Sequence, residues 1–439
     1  MFDILGFIEL KRDGGRHSGN DLRDFVNLVR DGCVPDYQIS AWLMAAFLRG
    51  LDDGELAEFT KALALSGDVV TLPAGCRAVD KHSTGGVGDK TTLVAGPLAA
   101  SCGLPVAKLS GRGLGFTGGT VDKLESIPGM NMRLDSDRFA RQIGKIGIAM
   151  SGHSLKLAPA EGKFYTLRGV TGTVPSIPLI ASSIVSKKIS GGANAFVFDV
   201  KCGLGAFMRT EESASELASA LVSLSNALGK KSSCVVSDME QPLGRWAGNS
   251  VEVMEALRVL SGDGPDDTAS LSLTLASMML VAGGVARDLD AASALASKKL
   301  SSGEALAKFE EMVSSQGGDA SVCANPERVL PRAVGEKTIF SPGDGFIGRM
   351  DALAVGHAVR ALGGGRVRGG DRIDPSVGVG TLKKIGDAVS KGEPIFEIRY
   401  NDEKRLEAAL PHIAQAFSVV GGAERRPLIL GKAACQDAR

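Results

Sequence analysis

Two glycine-rich segments constrain this chain more than any other feature. Residues 79–93 read VDKHSTGGVGDKTTL, and residues 110–125 read SGRGLGFTGGTVDKLE. Glycine lets a backbone approach an anion and turn its N–H groups inward. Serine and threonine add hydroxyl donors, and Lys81 and Lys108 add charge close to each loop. One such loop is a common turn. Two of them, with a histidine (His82) in the first, point to a phosphate held beside an acid catalyst.

The order of elements around the loops sets the fold class. Residues 77–80 and 105–108 read as short strands, each entering a glycine loop, and residues 91–102 read as the helix after the first. Residues 195–201 (AFVFDVK) and 233–237 form further strands, with a helix over 212–228 between them. Strands separated by helices and glycine turns imply an α/β sheet with ligands at its carboxyl ends. Residues 1–70 read as helices. In 21–30, Leu22, Phe25, Val26 and Val29 follow the i, i+3, i+4, i+7 pattern. A helix over 178–189 has no matching strand and is expected to return to this helical unit. The tail from 336 holds short strands and tight turns. The expected architecture is a small helical domain (1–70 and 160–193), a large α/β phosphate-binding domain with a mixed sheet (71–159 and 194–335), and a β-rich, hammerhead-like α+β subdomain (336–439). The chain would cross between the first two near 70–76, 155–165 and 190–195, which suits a hinge around a cleft.

Bulk properties exclude several function classes. The 439 residues carry 50 basic and 50 acidic side chains. A neutral chain gives no support for a nucleic-acid or membrane-surface role, so any positive charge a site needs must be local. The seven cysteines show no CxxC pair, which argues against a zinc site or disulfide framework and favours a reducing, cytoplasmic setting. The N-terminal stretch MFDILGFIELKRDGG lacks the long apolar run of a signal peptide.

The loop chemistry can be read residue by residue. The segment 81–86 follows a strand and precedes a helix, so free N–H groups and the positive helix end can face an anion. At about 4 Å and an effective dielectric of about 20, Lys81 adds about 4 kcal/mol of attraction. Thr92 can join it. In the second loop Lys108, Ser110 and Thr120 can close on the same phosphate. His82, with an ordinary pKa of about 6.5, is the best-placed proton donor. Ser183 and Lys187 lie at i and i+4, on one helical face, where a hydroxyl and an ammonium can read a heterocycle's carbonyl and N–H. Arg168 lies in a neighbouring stretch that lacks acidic residues.

Together these residues resemble the thymidine and pyrimidine-nucleoside phosphorylases. The resemblance rests on SGRGLGFTGGTVDKLESIPG and VDKHSTGGVGDK, with KRDGG (11–15), SIPLIASSI, SKKI (186–189), DVKCGLGAFM (199–208) and SDMEQPLG (237–244) in support. It covers nearly the whole chain and implies a homodimer, with no redox cofactor or catalytic metal required. It implies reversible phosphorolysis: phosphate and a pyrimidine nucleoside give free base and (deoxy)ribose 1-phosphate. Lys81, Ser83, Thr92, Lys108, Ser110 and Thr120 would bind phosphate. Arg168, Ser183 and Lys187 would bind the pyrimidine, and His82 would sit near its O2, with His82, Arg168 and Lys187 neutralising the departing base.

Four positions depart from the family pattern. Phe116 replaces the histidine of GLGHTGGT, Gly169 replaces an aspartate after the arginine, and Pro175 replaces a polar residue before SIPL. Lys90 stands where potassium-binding relatives carry a hydroxyl. Gly88, Leu243 and Glu255 match that ion site, position 246 is Trp, and the Lys90 ammonium can take the ion's place. Other readings are an anthranilate-type phosphoribosyltransferase, a relative acting on a modified nucleoside, and a carrier domain suggested by GDAVSKGEPIFEI, which would need a modifiable lysine at a hairpin tip, whereas Lys383 and Lys384 precede the turn.

Overall fold

The computed structural model describes residues 2–113, 115–154, 156–368 and 370–434. The chain opens with four helices, α1 (Ile4–Arg12), α2 (Gly19–Arg30), α3 (Asp36–Arg49) and α4 (Asp53–Ala64). Their ends are chemically marked. The Ser18 hydroxyl accepts from the Asp21 N–H to start α2, and Asp52 with Glu55 forms a capping box on α4, which satisfies N–H groups left free at helix starts. Leu22, Phe25, Val26 and Val29 are buried, as their spacing predicts.

The central sheet then begins. Strands β1 (Val79–Ser83), β2 (Val106–Ser110), β3 (Ile148–Gly152), β4 (Ala195–Cys202) and β5 (Lys231–Asp238) lie in the order β5-β4-β1-β2-β3, all parallel. Helix α5 (Thr91–Ser101) follows the first glycine loop. It is apolar all round and buried on every side except at Ser101, because it packs between the sheet and two further helices, Asp266–Ala282 and Glu304–Ser315. The short α6 (Thr120–Leu124) follows the second loop, and α7 (Ser136–Ile146) ends at Gly147, whose φ of +79° suits glycine. The strands run one to three residues beyond the positions read from sequence. Residues 77–78 and 146–147 precede the ladder, and the polar ends Ser83, Ser110 and Gly152 belong to it. Polar strand ends at the carboxyl edge of a parallel sheet carry no hydrophobic signal.

Helices α8 (Pro159–Thr171) and α9 (Ile177–Ser190) pack on α2, α3 and α4 rather than extending the sheet's alternation. Three chain segments pass side by side at this junction. The Asp68 N–H donates to Lys156 O at 2.9 Å and the Val70 N–H to Ser190 O at 2.8 Å.

The tail holds two small antiparallel sheets with helices Ala352–Leu362 and Glu403–Ala416. It also exchanges strands with the α/β part. Trp246–Gly248 leaves the α/β region to pair with Gly378–Thr381, and Ile429–Ala434 returns to pair antiparallel with β5 as the sixth strand of the main sheet. The sheet is therefore mixed. Residues 429–434, read from sequence as part of the tail's own subdomain, complete the other sheet. Six residues without clear alternation give no local sign of which sheet they join. Among the described residues no helix is long and apolar enough to cross a membrane.

Candidate active site

Side-chain alternation along β1 sorts the site. Val79, Lys81 and Ser83 share one face, and Asp80 and His82 share the other. On the first face, Lys81 is buried at the start of α5. Its Nζ donates to Thr91 Oγ1 at 2.6 Å and Thr92 Oγ1 at 3.4 Å, and stands 3.6 Å from Asp199. Ser83 donates its hydroxyl to Asp89 at 2.5 Å. Lys201, which the sequence reading passed over, pairs with Asp199 at 2.7 Å and donates to Ser237 at 3.1 Å. Burial opposes the charge on Asp89, yet Lys201, Lys81 and Lys123 hold its carboxyl well below the usual carboxylate range. Lys81, Ser83 and Thr92 therefore meet in one charged cluster.

Lys108 lies under the neighbouring strand end. Its Nζ donates to Leu109 O at 3.0 Å and is 3.5 Å from Asp80. Lys188, the second lysine of SKKI and a residue the sequence reading gave no role, reaches the same two acceptors. It is 2.7 Å from Asp80 and 2.7 Å from Leu109 O. Two buried ammonium groups share one carboxylate. Burial, only partly offset by Asp80, pushes Lys108 down to about 7. Ser110 and Thr120 end β2 and begin α6, half-buried, with hydroxyls free of protein hydrogen-bond partners among the described residues.

The second glycine loop is held from below. Asp122 accepts the Gly113 N–H at 2.7 Å and pairs with Arg112 and with Arg366 from the tail. Gly113 and Gly119 back onto each other so closely that a Cβ on Gly119 would sit 2.0 Å from the Gly113 nitrogen. Both positions need glycine for close approach, not for a turn.

His82 is half-buried, with its imidazole facing the other way from Lys81. Burial, then the charges of Lys188, Lys108, Lys81 and Lys187, hold it well below its ordinary pKa. The near-neutral value that sequence alone suggests does not survive folding, and the ring is neutral at pH 7. His153, from the end of β3, lies in the same field of lysines and is lowered for the same reasons, burial first.

Helix α9 brings Ser183 and Lys187 together one turn apart, as their spacing predicts, at 3.0 Å. Between them stands Glu161, which accepts the Ser183 hydroxyl hydrogen and pairs with Lys187 at 2.8 Å. Glu161 comes from a different helix, 22 positions away, so no spacing rule could have found it. Arg168 is placed differently. It is buried and donates to the carbonyls of Thr173, Val174 and Leu179 at 3.4, 2.8 and 2.9 Å. These clamp the turn that contains Pro175. Among the described residues, two of the five guanidinium N–H groups have no acceptor.

The Lys90 ammonium lies buried among the residues matched to the ion site. It donates to Leu243 O at 3.0 Å and Trp246 O at 2.8 Å and pairs with Glu255. Burial opposes its charge, but Glu255 and Glu252 outweigh that and hold the ammonium above its usual range. Gly88 lets these carbonyls in, since a Cβ there would lie 2.5 Å from Leu243 O. Lys384 from the tail closes the same turn, bonding to Gly244 O at 2.5 Å and pairing with Asp267 at 3.2 Å. Lys383 pairs with Glu393.

Comparison with known proteins identifies the family. Residues 6–67 match the helical bundle domain of a glycosyl transferase family, residues 75–306 its a/b domain, and residues 346–420 the pyrimidine nucleoside phosphorylase C-terminal domain. The pyrimidine-nucleoside phosphorylase of Bacillus subtilis (strain 168) is 47% identical over 428 residues, 97% of this chain and 98% of that protein. The enzyme of the same name from Geobacillus stearothermophilus is 47% identical over 403 residues, 91% and 93% of the two chains. A solved structure of anthranilate phosphoribosyltransferase from Thermus thermophilus superposes with a TM-score of 0.57 at 21% identity, covering 70% of this chain and 98% of that one. That likeness is one of fold. From the near full-length identity, the chain belongs to the pyrimidine-nucleoside phosphorylase family.

Proposed function

We infer that this enzyme catalyses the reversible phosphorolysis of pyrimidine nucleosides to free base and (deoxy)ribose 1-phosphate. The observation that carries the reading is the position of His82. It sits at the carboxyl end of β1, in the field of Lys81 and Lys108 on the sheet side and of Lys187 and Lys188 on α9. A phosphate site and a base site therefore meet at one neutral imidazole.

In this reading phosphate is held by the α5 N-terminus, Lys81, Ser83, Thr92, Lys108, Ser110 and Thr120. Phosphate is a weak nucleophile, and holding it in line with C1′ supplies much of the rate. The C1′–N1 bond breaks as the phosphate oxygen bonds to C1′, and the electron pair leaves with the pyrimidine. Neutral His82 donates its N–H to the base O2 as negative charge builds there. Lys187, fixed by Glu161, and the two free N–H groups of Arg168 stabilise the same charge. Ser183 gives its hydrogen to Glu161 and so keeps a lone pair for the base N3–H.

Two further elements belong to the proposal. The Lys90 ammonium stands in for a bound monovalent cation, so activity needs no added potassium. The enzyme works as a homodimer joined through the exposed apolar side chains of α1, α3 and α8, among them Leu5, Tyr37, Leu48 and Val170. Exposed apolar side chains on packed neighbouring helices suit a protein contact.

The test is phosphate-dependent release of free base from thymidine, deoxyuridine, uridine and cytidine, with and without potassium. Cleavage that requires phosphate supports the reaction. Folded protein that cleaves none of the four in phosphate refutes it for these substrates and favours a modified nucleoside.

A further inference from the structure

A second concentration of positive charge lies in the tail, outside the candidate active site. A cavity of about 480 Å³ opens between helices Ala352–Leu362 and Glu403–Ala416 and the loop that follows the first of them. Arg360, Arg372, Arg405, His357 and His412 line it. The two imidazoles face each other with ring centres 5.7 Å apart. No side-chain hydrogen bond or ion pair is made by Arg360, Arg372 or Arg405 among the described residues. Asp371 is the acidic residue of the lining, and its carboxylate accepts the Val367 and Arg368 N–H groups at 3.1 and 2.7 Å. Asp374 is occupied by Ser376 and Asn401, and feels Arg405 only through space. The Arg405 guanidinium lies against Gly363, where a Cβ would fall 2.0 Å from it, so this arginine reaches over bare backbone toward the cavity.

Unpaired guanidinium groups on a surface are ordinary. Three of them converging on one concave space with two imidazoles, in a chain whose net charge is zero, form a phosphate-recognition arrangement. The volume exceeds what inorganic phosphate fills and suits a small phosphate ester. We propose that this cavity binds a multiply charged phosphate ester, a nucleotide or a sugar phosphate, as a site distinct from the one that carries out phosphorolysis. The cavity is also wired to that site. The His357 ring meets the Phe116 ring edge-on at 6.2 Å, and Arg366, at the base of the same loop, pairs with Asp122 at 2.7 Å under the second glycine loop. A ligand that moves His357 or Arg366 therefore bears on the loop expected to hold phosphate.

The experiment is isothermal calorimetry of the full-length protein with ATP, with ribose 5-phosphate and with inorganic tripolyphosphate, in the presence of saturating inorganic phosphate to occupy the active site. It is repeated on R360Q/R405Q, which alters no residue assigned to catalysis. The expected result is binding of at least one probe by the wild type, weakened about tenfold or more in the variant, with the phosphate KM of phosphorolysis unchanged. Preference for ATP identifies a nucleotide site, preference for ribose 5-phosphate a sugar phosphate site, and equal binding of tripolyphosphate a site that reads phosphate groups alone. Equal affinity in wild type and variant, or no binding of any probe at millimolar concentration, overturns the proposal. Circular dichroism and the unchanged phosphate KM show whether the variant is folded. Should it not fold, the single variant R372Q, on an exposed loop position, is measured in its place.

Discussion

Two buried lysine clusters flank the first glycine loop, and they are finished in opposite ways. The three hydrogens of the Lys90 ammonium all have acceptors: Leu243 O, Trp246 O and Glu255. Lys108 and Lys188 share Asp80 and Leu109 O between them, which leaves one positive charge uncompensated. A buried charge that is fully paired completes a structure. One that is under-compensated costs stability and persists where a ligand will compensate it. The first cluster holds a turn, and the second keeps the spare positive charge that the proposed phosphate site needs.

The sharpest way to break this contrast is to remove each lysine and compare losses. Lys108→Met is expected to lower kcat/KM by about a thousandfold, through weaker binding of phosphate in the transition state. It should leave the melting temperature unchanged or raise it, because the site loses a charge it could not neutralise. Phosphate titrations with thermal melts decide this, and a large drop in stability with intact kinetics would reverse the assignment. Lys90→Met should do the opposite. It strands the Glu255 carboxylate, which costs about 3 kcal/mol of stability, and the activity lost should follow the fraction unfolded. Lys90→Ser reopens the space, so potassium should restore stability to that variant. Wild-type activity should stay the same when potassium is replaced by tetramethylammonium. A wild type that needs potassium would remove the stand-in role of Lys90.

Sequence and structure divide along this same contrast. The loops, the sheet around them and the pairing of Ser183 with Lys187 were legible because glycine clusters and helical spacing are local signals. The partners that tune those residues were not. Glu161, Lys188, Asp80 and Lys201 are ordinary charged residues in sequence, and only the topology that brings α9 beneath β1 and β2 sets them at the site. The downward shift of His82 from its ordinary value could not be read from sequence for the same reason, since burial and four lysines from three elements cause it. Arg168 shows the reverse case. A cation without local acidic partners could face either solvent or a cleft, and backbone carbonyls, which carry no sequence signal, take three of its donors. The strand exchange between the tail and the main sheet was likewise beyond local reading, because a strand's partner is set by long-range register.

Titration offers a finer probe of the under-compensated cluster. Lys108 falls from 10.5 to about 7 on folding. As pH rises through about 7 the folded site loses this charge, while the unfolded chain keeps it up to its ordinary value. Stability from this group therefore increases between those limits, since the unfolded state binds the extra proton. Phosphate affinity moves the other way. The phosphate KM should climb above pH 7 by up to about tenfold per unit, and Lys108→Arg, which stays charged, should flatten the climb. An equal climb in both proteins would place the titrating group elsewhere.

The smallest effect tests whether the second glycine loop reads the nucleoside at all. Phe116 packs its ring on Phe207 at 5.6 Å and meets His357 at 6.2 Å. Its ring offers no hydrogen bond, where the family pattern expected from the resemblance has histidine. If the base or sugar touches this position, Phe116→His should change the nucleoside KM by a few-fold, the scale of one neutral hydrogen bond, and change it unequally among thymidine, deoxyuridine and uridine. The phosphate KM should stay fixed, because the phosphate groups assigned to this loop, Ser110 and Thr120, lie at its two ends. A shift in phosphate KM alone would mean that Phe116 positions the loop through Phe207 and His357. Specificity would then lie in the Ser183–Glu161–Lys187 group of the helical domain rather than being shared between the two sides of the site.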